Sequence, residues 1–470
     1  MPTITAVQSL IADLVGIELI TDASTRQSRS RDFYWYSPIL TAQLEHCIAD
    51  VVALPKSELE VIRIAAACAK HRVPLTPRGA GTGNYGQAVP LAGGVVIDLS
   101  AMNRIQHIER SATGEPAIGH SGWMTVDAGV VLDDADRAAR KTSQMILMYP
   151  STGRIATVGG FIAGGHSGIG SIRHGILADH GNVRRIRVVT LEATPRIVEL
   201  TTPEDILKVH HAYGTNGIIT ELDIALTPAV EWVHCIATFA SYSDTLRFGV
   251  AAGTHAIANS RDIDVYLLSA VERRLLDFYD SYADIVGGRD AMFSMVAPGS
   301  VEAFFMLARE FGGARALAAD EAELSARGLL PVTECAYNHT TLMALKRDKT
   351  VTYLQVAFPS TVEKPLDITL VDHFMAHFGD ELYMHHEFAR MFGRLVSFAL
   401  PLMHYFDAER INEIIEYFES KGCHVFNPHT YILEDGGMKQ IDHAQIAFKR
   451  SADPLGLMNP GKTRGERESD

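Results

Sequence analysis

Cysteine and positive charge are both scarce in this 470-residue sequence. The five cysteines, Cys47, Cys68, Cys235, Cys335 and Cys423, are scattered and never spaced as CxxC. That pattern excludes a disulfide framework and a structural zinc site as expectations. Lys and Arg total 42 against 56 Asp and Glu, a net charge of −14. A general affinity for nucleic acid or anionic lipid is therefore not expected. No apolar run approaches the ~20 residues of a membrane helix, so no membrane span is expected. The opening MPTITAVQSL has neither a basic stretch nor a long apolar run, so no signal peptide is expected. A reducing, cytoplasmic location is the default. Internal repeats and low-complexity tracts are missing as well. What is present is a composition 47% hydrophobic and 21% charged, enough to bury a large core. At roughly 100–200 residues per domain, the length suits two or three domains.

The first half mixes helices and strands. Thr5 to Val15 has the spacing of an amphipathic helix. Val51 to Leu54 is a short apolar strand stopped by Pro55. Ser57 is placed to cap a helix running to about His71, with Glu60 at the capping-box position. Val73–Thr76, Val95–Leu99, Met124–Ala128 and Ile186–Leu191 have strand character, and a helix is expected from about Pro203. Gly214 to Thr220 ends this region, with Thr227-Pro228 as a boundary. From Trp232 to about Glu434 strand-like and helical segments alternate without glycine-rich loops. Gly461 to Asp470 is a charged tail, expected to be mobile.

The most informative segment is Pro77-Arg78-Gly79-Ala80-Gly81-Thr82-Gly83-Asn84-Tyr85-Gly86. Closely spaced glycines let backbone N–H groups approach a ligand without interference from Cβ. Such a run of N–H groups forms a nest suited to a pyrophosphate, to which Arg78 adds charge and Thr82 a hydroxyl. Gly81-x-Gly83-x-x-Gly86 also satisfies the dinucleotide pattern G-x-G-x-x-G. That pattern has meaning only where a helix follows. Here Gln87 to Gly94 is turn-rich and leads into a strand, so the Rossmann reading is rejected. Ala156 to Gly170 is a second glycine-rich loop.

Four motifs together resemble a known family. Pro77 to Gly83 resembles the pyrophosphate loop of the vanillyl-alcohol oxidase / p-cresol methylhydroxylase flavoproteins. Thr157-Val158-Gly159-Gly160, with Gly168 and His174-Gly175, resembles their second FAD-contacting segment. Gly214 to Thr220 resembles their G-x-x-G-I-I-T strand. Asp453 to Lys462 resembles the DP-x-G-x-x-NPGK ending of the D-lactate / D-2-hydroxyglutarate / glycolate dehydrogenase branch.

The resemblance implies an α+β fold: a two-subdomain FAD-binding domain over residues 1–228, its core at about 46–228, and an antiparallel-sheet cap over 229–437. Residues 438–470 would return to the FAD domain. It implies FAD contacts from Pro77, Arg78, Gly79, Ala80, Gly81, Thr82, Gly83, Asn84, Gly86 and Gln87. Further contacts are implied from Thr157, Gly159, Gly160, Gly164, His166, Gly168, Gly175, Gly217, Ile218, Ile219, Asn459 and Lys462. The first loop has no histidine to tether the flavin, so non-covalent FAD is expected. The branch's H-x-GDGN-x-H and GEHG-x-G motifs are missing. Pro401 to His404 and Asn427 to Tyr431 stand near their places, and no metal is expected. Gly164 to Gly168 is similar to the GTHG loop of sugar-lactone and alditol oxidases.

Candidates for chemistry fall in the cap. Thr333 to Thr341 is expected to be a strand, with Glu334, Ala336 and Asn338 on one face and Cys335, Tyr337 and His339 on the other. Thr352 to Gln355 is expected beside it. Arg390 and Arg394, following His385-His386-Glu387, would be i, i+4 partners on a helix and could grip a carboxylate. His429, in the polar run Asn427 to Tyr431, is the first choice of base, followed by Tyr337 or His339. The expected activity is hydride transfer from a small alcohol or 2-hydroxy acid to flavin N5. The alternatives are an aryl-alcohol or alkylphenol oxidase, or the flavin subunit of a larger electron-transfer complex. The electron acceptor (oxygen, a quinone or a protein) stays open, as does a homodimer.

Overall fold

The computed structural model describes residues 2–115 and 120–465. The helix expected at the N-terminus spans Ile4–Asp13, and the one capped by Ser57 spans Glu58–His71, with the Ser57 hydroxyl accepting from the Glu60 amide. This second helix connects the Val51–Leu54 and Leu75–Arg78 strands of a four-stranded sheet ordered Glu18–Ile20, Val51–Leu54, Val95–Asp98, Leu75–Arg78. The last three strands run parallel, and the loop that leaves Arg78 contains no helix. A six-stranded antiparallel sheet is built around the long strand Ile218–Pro228, which pairs with His120–Asp127, Gln144–Ile146 and Val183–Val189. One hydrophobic core joins the two sheets, drawing on residues from Leu10 to Leu226 together with Met458.

A third sheet has eight antiparallel strands. Its order is Ala314–Ala319, Val233–Phe239, Asp290–Val296, Val265–Val271, His385–Met391, Arg394–Ala399, Gln355–Ala357, His424–Phe426. Buried aromatic and aliphatic side chains pack on it as separate cores. The C-terminal segment then comes back to the first sheet. The Leu75 amide donates to the Leu457 carbonyl at 2.8 Å, and the Asn459 amide donates to the Leu75 carbonyl at 2.7 Å.

Four local expectations are corrected. Thr333 to Thr341 is not a strand: a 3-10 turn spans Val332–Cys335 and a helix spans Asn338–Arg347. Tyr337 stands between them at φ +50, a conformation that breaks any extended ladder. His385 to Arg394 is not a helix but a hairpin, His385–Met391 paired with Arg394–Ala399. Phe392 and Gly393 turn it with φ +48 and +78, the double positive φ that two-residue hairpins favour. Thr352 to Gln355 does not run beside the Tyr337 segment. It divides at Leu354 into Val351–Tyr353 and Gln355–Ala357, which join different sheets. Ala156 to Gly170 is not all loop. Thr157 caps a helix over Val158–Gly164, accepting from the Gly160 amide at 3.2 Å, and burial of Phe161 and Ile162 outweighs the low helix propensity of its glycines. The tail expectation also changes. Lys462 and Thr463 are buried, and residues 466–470 lie outside the described residues.

Candidate functional site

A cavity runs from the glycine loop to the eight-stranded sheet, about 1810 Å³ including its open mouth. Its inner end is built from three backbone segments: Pro77 to Asn84, Thr157 to Gly160, and Gly214 to Ile219. They are pressed so closely that side chains would not fit between them. A Cβ on Gly79 would overlap the Thr157 hydroxyl, and one on Gly159 would lie 2.7 Å from the Ala128 Cβ. Gly81 has φ +69, and a Cβ there would overlap the Arg78 guanidinium. These positions need glycine for space, and Gly81 needs it for backbone conformation too.

Arg78 is the cation of this end. Its guanidinium donates to the Arg31 carbonyl and, at 3.1 Å, to the Ala80 carbonyl. Burial pulls its pKa down, while Asp98 and Asp32 oppose the shift. Asp32 lines the cavity and is itself buried, accepting from the Tyr34 amide at 3.0 Å and the Ala88 amide at 3.2 Å. Burial pushes Asp32 up and Lys462 down, and each carries a charge that draws the other back. Lys462 does not face the cavity. It donates to the Gly86 carbonyl from behind and so holds the loop's far end. Asn459 works likewise, donating to the Gln87 carbonyl at 2.8 Å and the Tyr213 carbonyl at 2.6 Å.

The structure thus divides the cofactor candidates. Pro77, Arg78, Gly79, Ala80, Gly81, Thr82, Gly83, Asn84, Gln87, Thr157, Gly159, Gly160, Gly164, His166, Gly217 and Ile219 line the cavity. Gly86, Gly168, Gly175, Ile218, Asn459 and Lys462 are outside its lining and shape the wall instead. Gly168, for instance, accepts the Tyr337 phenol at 2.7 Å, and Gly175 ends the short helix Ser171–His174.

Of the four catalytic candidates only Tyr337 lines the cavity. Its amide donates to the buried Glu387 carboxylate at 2.6 Å. Burial, reinforced by the Glu387 charge, raises its phenol pKa well above the ordinary value. His339 is buried beside Glu334, Nδ1 to Oε2 at 2.9 Å. Arg390 pairs with Leu395 on the hairpin and Arg394 with Met391, so the two are not helical neighbours. His429 is buried with both ring nitrogens engaged, Nδ1 to the Ser37 hydroxyl at 2.7 Å and Nε2 to the Tyr353 carbonyl at 3.0 Å. His404 contacts Thr350 and Tyr383, and the Glu434 carboxylate accepts from the Arg464 amide. Among the described residues no group of three or more His, Cys, Asp or Glu is placed to hold a metal.

The cavity, whose outer end is the edge of the eight-stranded sheet, contains residues that the motifs did not mark. Phe33 and Tyr36 come from the aromatic run Phe33-Tyr34-Trp35-Tyr36, a signal visible in the sequence. Gln355, Phe398, Leu400 and Phe426 come from one edge of the eight-stranded sheet. His166 lies among them, edge-on to Phe398 at 6.1 Å and to His211 at 6.4 Å between ring centroids. Burial alone moves the His166 pKa, down to about 4. Its ring is therefore neutral at neutral pH. His211, held at about 3 by burial and then by His166, has Nδ1 on the Gly165 carbonyl at 2.9 Å.

Residues 49–201 match the model of an FAD-binding domain family, a span that takes in the first glycine loop and the Thr157–Gly160 turn. This part of the chain is an FAD-binding domain. The chain is 30% identical over 203 residues to the glycolate oxidase subunit GlcD of Bacillus subtilis, covering 42% of this chain and 40% of that one. It is 32% identical over 191 residues to D-lactate dehydrogenase of Anaerostipes hadrus, covering 38% and 37% respectively. A D-2-hydroxyglutarate dehydrogenase of Escherichia coli is 35% identical over 164 residues, or 33% of this chain and 15% of that one. The chain thus spans about two fifths or less of these relatives' lengths. In fold it resembles alkyldihydroxyacetonephosphate synthase, with a TM-score of 0.69 over 98% of this chain and 85% of the synthase at 17% identity. The cofactor is FAD, as the two glycine-rich segments imply, and no helix among the described residues is long and apolar enough to cross a membrane.

Burial of neutral histidines outside the cavity has a consequence for stability. His234, His386 and His429 are held at about 4, 3 and 4, each chiefly by burial. An unfolded histidine titrates near ~6.5, so between that pH and about 4 the unfolded chain binds more protons than the folded one. Stability should fall as pH drops through this window, by up to roughly 1.4 kcal/mol per pH unit for each histidine. Thermal melts between pH 7 and 5 test this. Tm should decline, and less steeply in His429→Gln. A Tm independent of pH would contradict it.

Proposed function

We propose that the flavoprotein is an FAD-dependent oxidoreductase that removes two hydrogens from a CH–OH donor. The observation that carries this reading is the cavity itself: one void joins the glycine loop to a sheet face and contains a neutral imidazole, His166. Residues 1–228, with 438–470 folded back on them, would hold the cofactor, and 229–437 would cover it. Arg78 and the amides of Gly79 to Gly83 would hold the pyrophosphate, with the Thr157–Gly160 turn opposite. When bound, FAD supplies a hydride acceptor at N5. The chain supplies position and a proton acceptor, within the roughly 3–3.5 Å that reacting groups require.

His166 is the proton acceptor in this reading, in place of His429. It lines the cavity and is neutral, while His429 is engaged on both nitrogens outside it. Tyr337 is less suited, because its phenol is held well above the neutral range and already donates to Gly168. The names of the relatives point to hydroxy acids as one donor class. The test is turnover with an artificial dye acceptor against a panel of alcohols and 2-hydroxy acids, with the carbonyl product identified. Flavin reduction without dye turnover would instead favour a subunit that passes electrons to a partner protein.

A further inference from the structure

Resting on the CH–OH reading, we infer that the donor is an uncharged hydroxyl compound with an apolar body rather than a carboxylate. Among the described residues that line the cavity, Arg78 is the one permanent cation, and it belongs to the glycine loop at the inner end. Its guanidinium already donates to two backbone carbonyls. Wherever a donor sits in the remaining space, no second Lys or Arg of the lining is available to it. The two histidines of the lining are neutral at pH 7.

The strand register explains why the hairpin arginines do not supply the missing charge. Phe398 pairs with Glu387 on one side and with Ala357 on the other, while Gln355 pairs with Phe426. Directly paired residues share a face, so Phe398, Gln355 and Phe426 point the same way, into the cavity. Arg390 pairs with Leu395, an odd number of residues from Glu387 and Phe398, and so projects from the opposite face. Arg394 is exposed at the hairpin end. Arg154, just past the Pro150 to Thr152 wall, is turned to Glu334 at 3.6 Å and is 64% exposed.

What the outer end offers instead is apolar contact. Phe398, Leu400 and Phe426 line it, with the Phe398 and Phe426 rings 6.0 Å apart, while Phe33 and Tyr36 add apolar surface beside the glycine loop, where the Phe33 amide donates to the Gly83 carbonyl at 2.6 Å. A polar handle is nearby, because the Asn338 side-chain oxygen is buried without a hydrogen-bond partner. A hydroxyl donor would satisfy that acceptor. A carboxylate would add a second desolvated anion-like group beside it, and a buried charge without a partner is strongly disfavoured.

The experiment uses the FAD-loaded protein and compounds matched in shape. 1-Phenylethanol is compared with mandelate as donors in anaerobic flavin reduction. Benzamide is compared with benzoate as ligands that perturb the flavin spectrum. The neutral member is expected to reduce faster, and to bind tighter, by about 100-fold or more. Preference for mandelate or benzoate would overturn the inference, and so would a flavin spectrum indifferent to all four compounds. Tight binding of the neutral pair without reduction would uphold the apolar site and sink the CH–OH reading. Phe398→Arg adds the missing cation, and its benzoate affinity should rise at least 10-fold. If that variant loses FAD, Phe426→Arg replaces it. No gain for benzoate in a flavin-loaded variant would also count against the inference.

Discussion

Gly81→Val should purify without flavin. The backbone at Gly81 is at φ +69, where a β-branched residue is strained by roughly 1–3 kcal/mol. Its Cβ would also overlap the Arg78 guanidinium, displacing the cation proposed to hold the pyrophosphate. The loop would then lose both its close backbone approach and its charge. The first sheet lies on the other side of Arg78 and does not use Gly81, so circular dichroism should be unchanged. Flavin content per chain checks the prediction. A folded Gly81→Val protein carrying a full complement of FAD would show that the cofactor is held elsewhere.

His166→Asn should keep its flavin and lose its chemistry. The residue follows the helix Val158–Gly164, is not part of the Gly79 to Gly83 loop, and makes edge contacts to Phe398 and His211. Removing a general base typically costs 10²–10⁴ in rate, and anaerobic flavin reduction should slow by about that factor. The wild-type rate carries a second signature. An imidazole with its pKa held down to about 4 accepts protons throughout the neutral range and ceases to do so only as pH falls through that value. Reduction should therefore be flat from about pH 8 to 6 and drop on further acidification. His429→Asn should behave oppositely, losing thermal stability while its reduction rate stays within a few-fold of wild type. If His166→Asn reduces normally and His429→Asn does not, the assignment reverses.

The parts of the site legible in the sequence are those set by backbone conformation. Gly79, Gly81 and Gly83 mark a loop where Cβ atoms do not fit, and that constraint is written in residue type alone. The Asp453 to Lys462 ending was legible for a similar reason, since Asn459 and Lys462 must reach the Gln87 and Gly86 carbonyls. The cap was harder. His385 to Arg394 has an i, i+4 arginine pair, but the Phe392-Gly393 turn decides its structure, and the flanking residues fit either period. Tyr337 holds a backbone conformation fixed by a buried carboxylate fifty residues away, which no local pattern reveals. His429 stood in a polar run, yet its polarity serves Ser37 and the Tyr353 carbonyl, both distant in sequence. Phe398, Gln355 and Phe426 meet through strand register, visible only once the sheet order is known.

The central claim is that this cavity holds FAD and that a CH–OH donor reduces it there. Anaerobic mixing of the purified yellow protein with a panel of neutral alcohols and 2-hydroxy acids tests it most directly. The account predicts that at least one donor bleaches the flavin in a single saturable phase, with a carbonyl product formed in a one-to-one ratio to FAD. The His166→Asn protein should bleach slower by about 10²–10⁴ with the same donor. A flavin that stays oxidised with every CH–OH donor, while chemical reductants bleach it readily, would contradict the account.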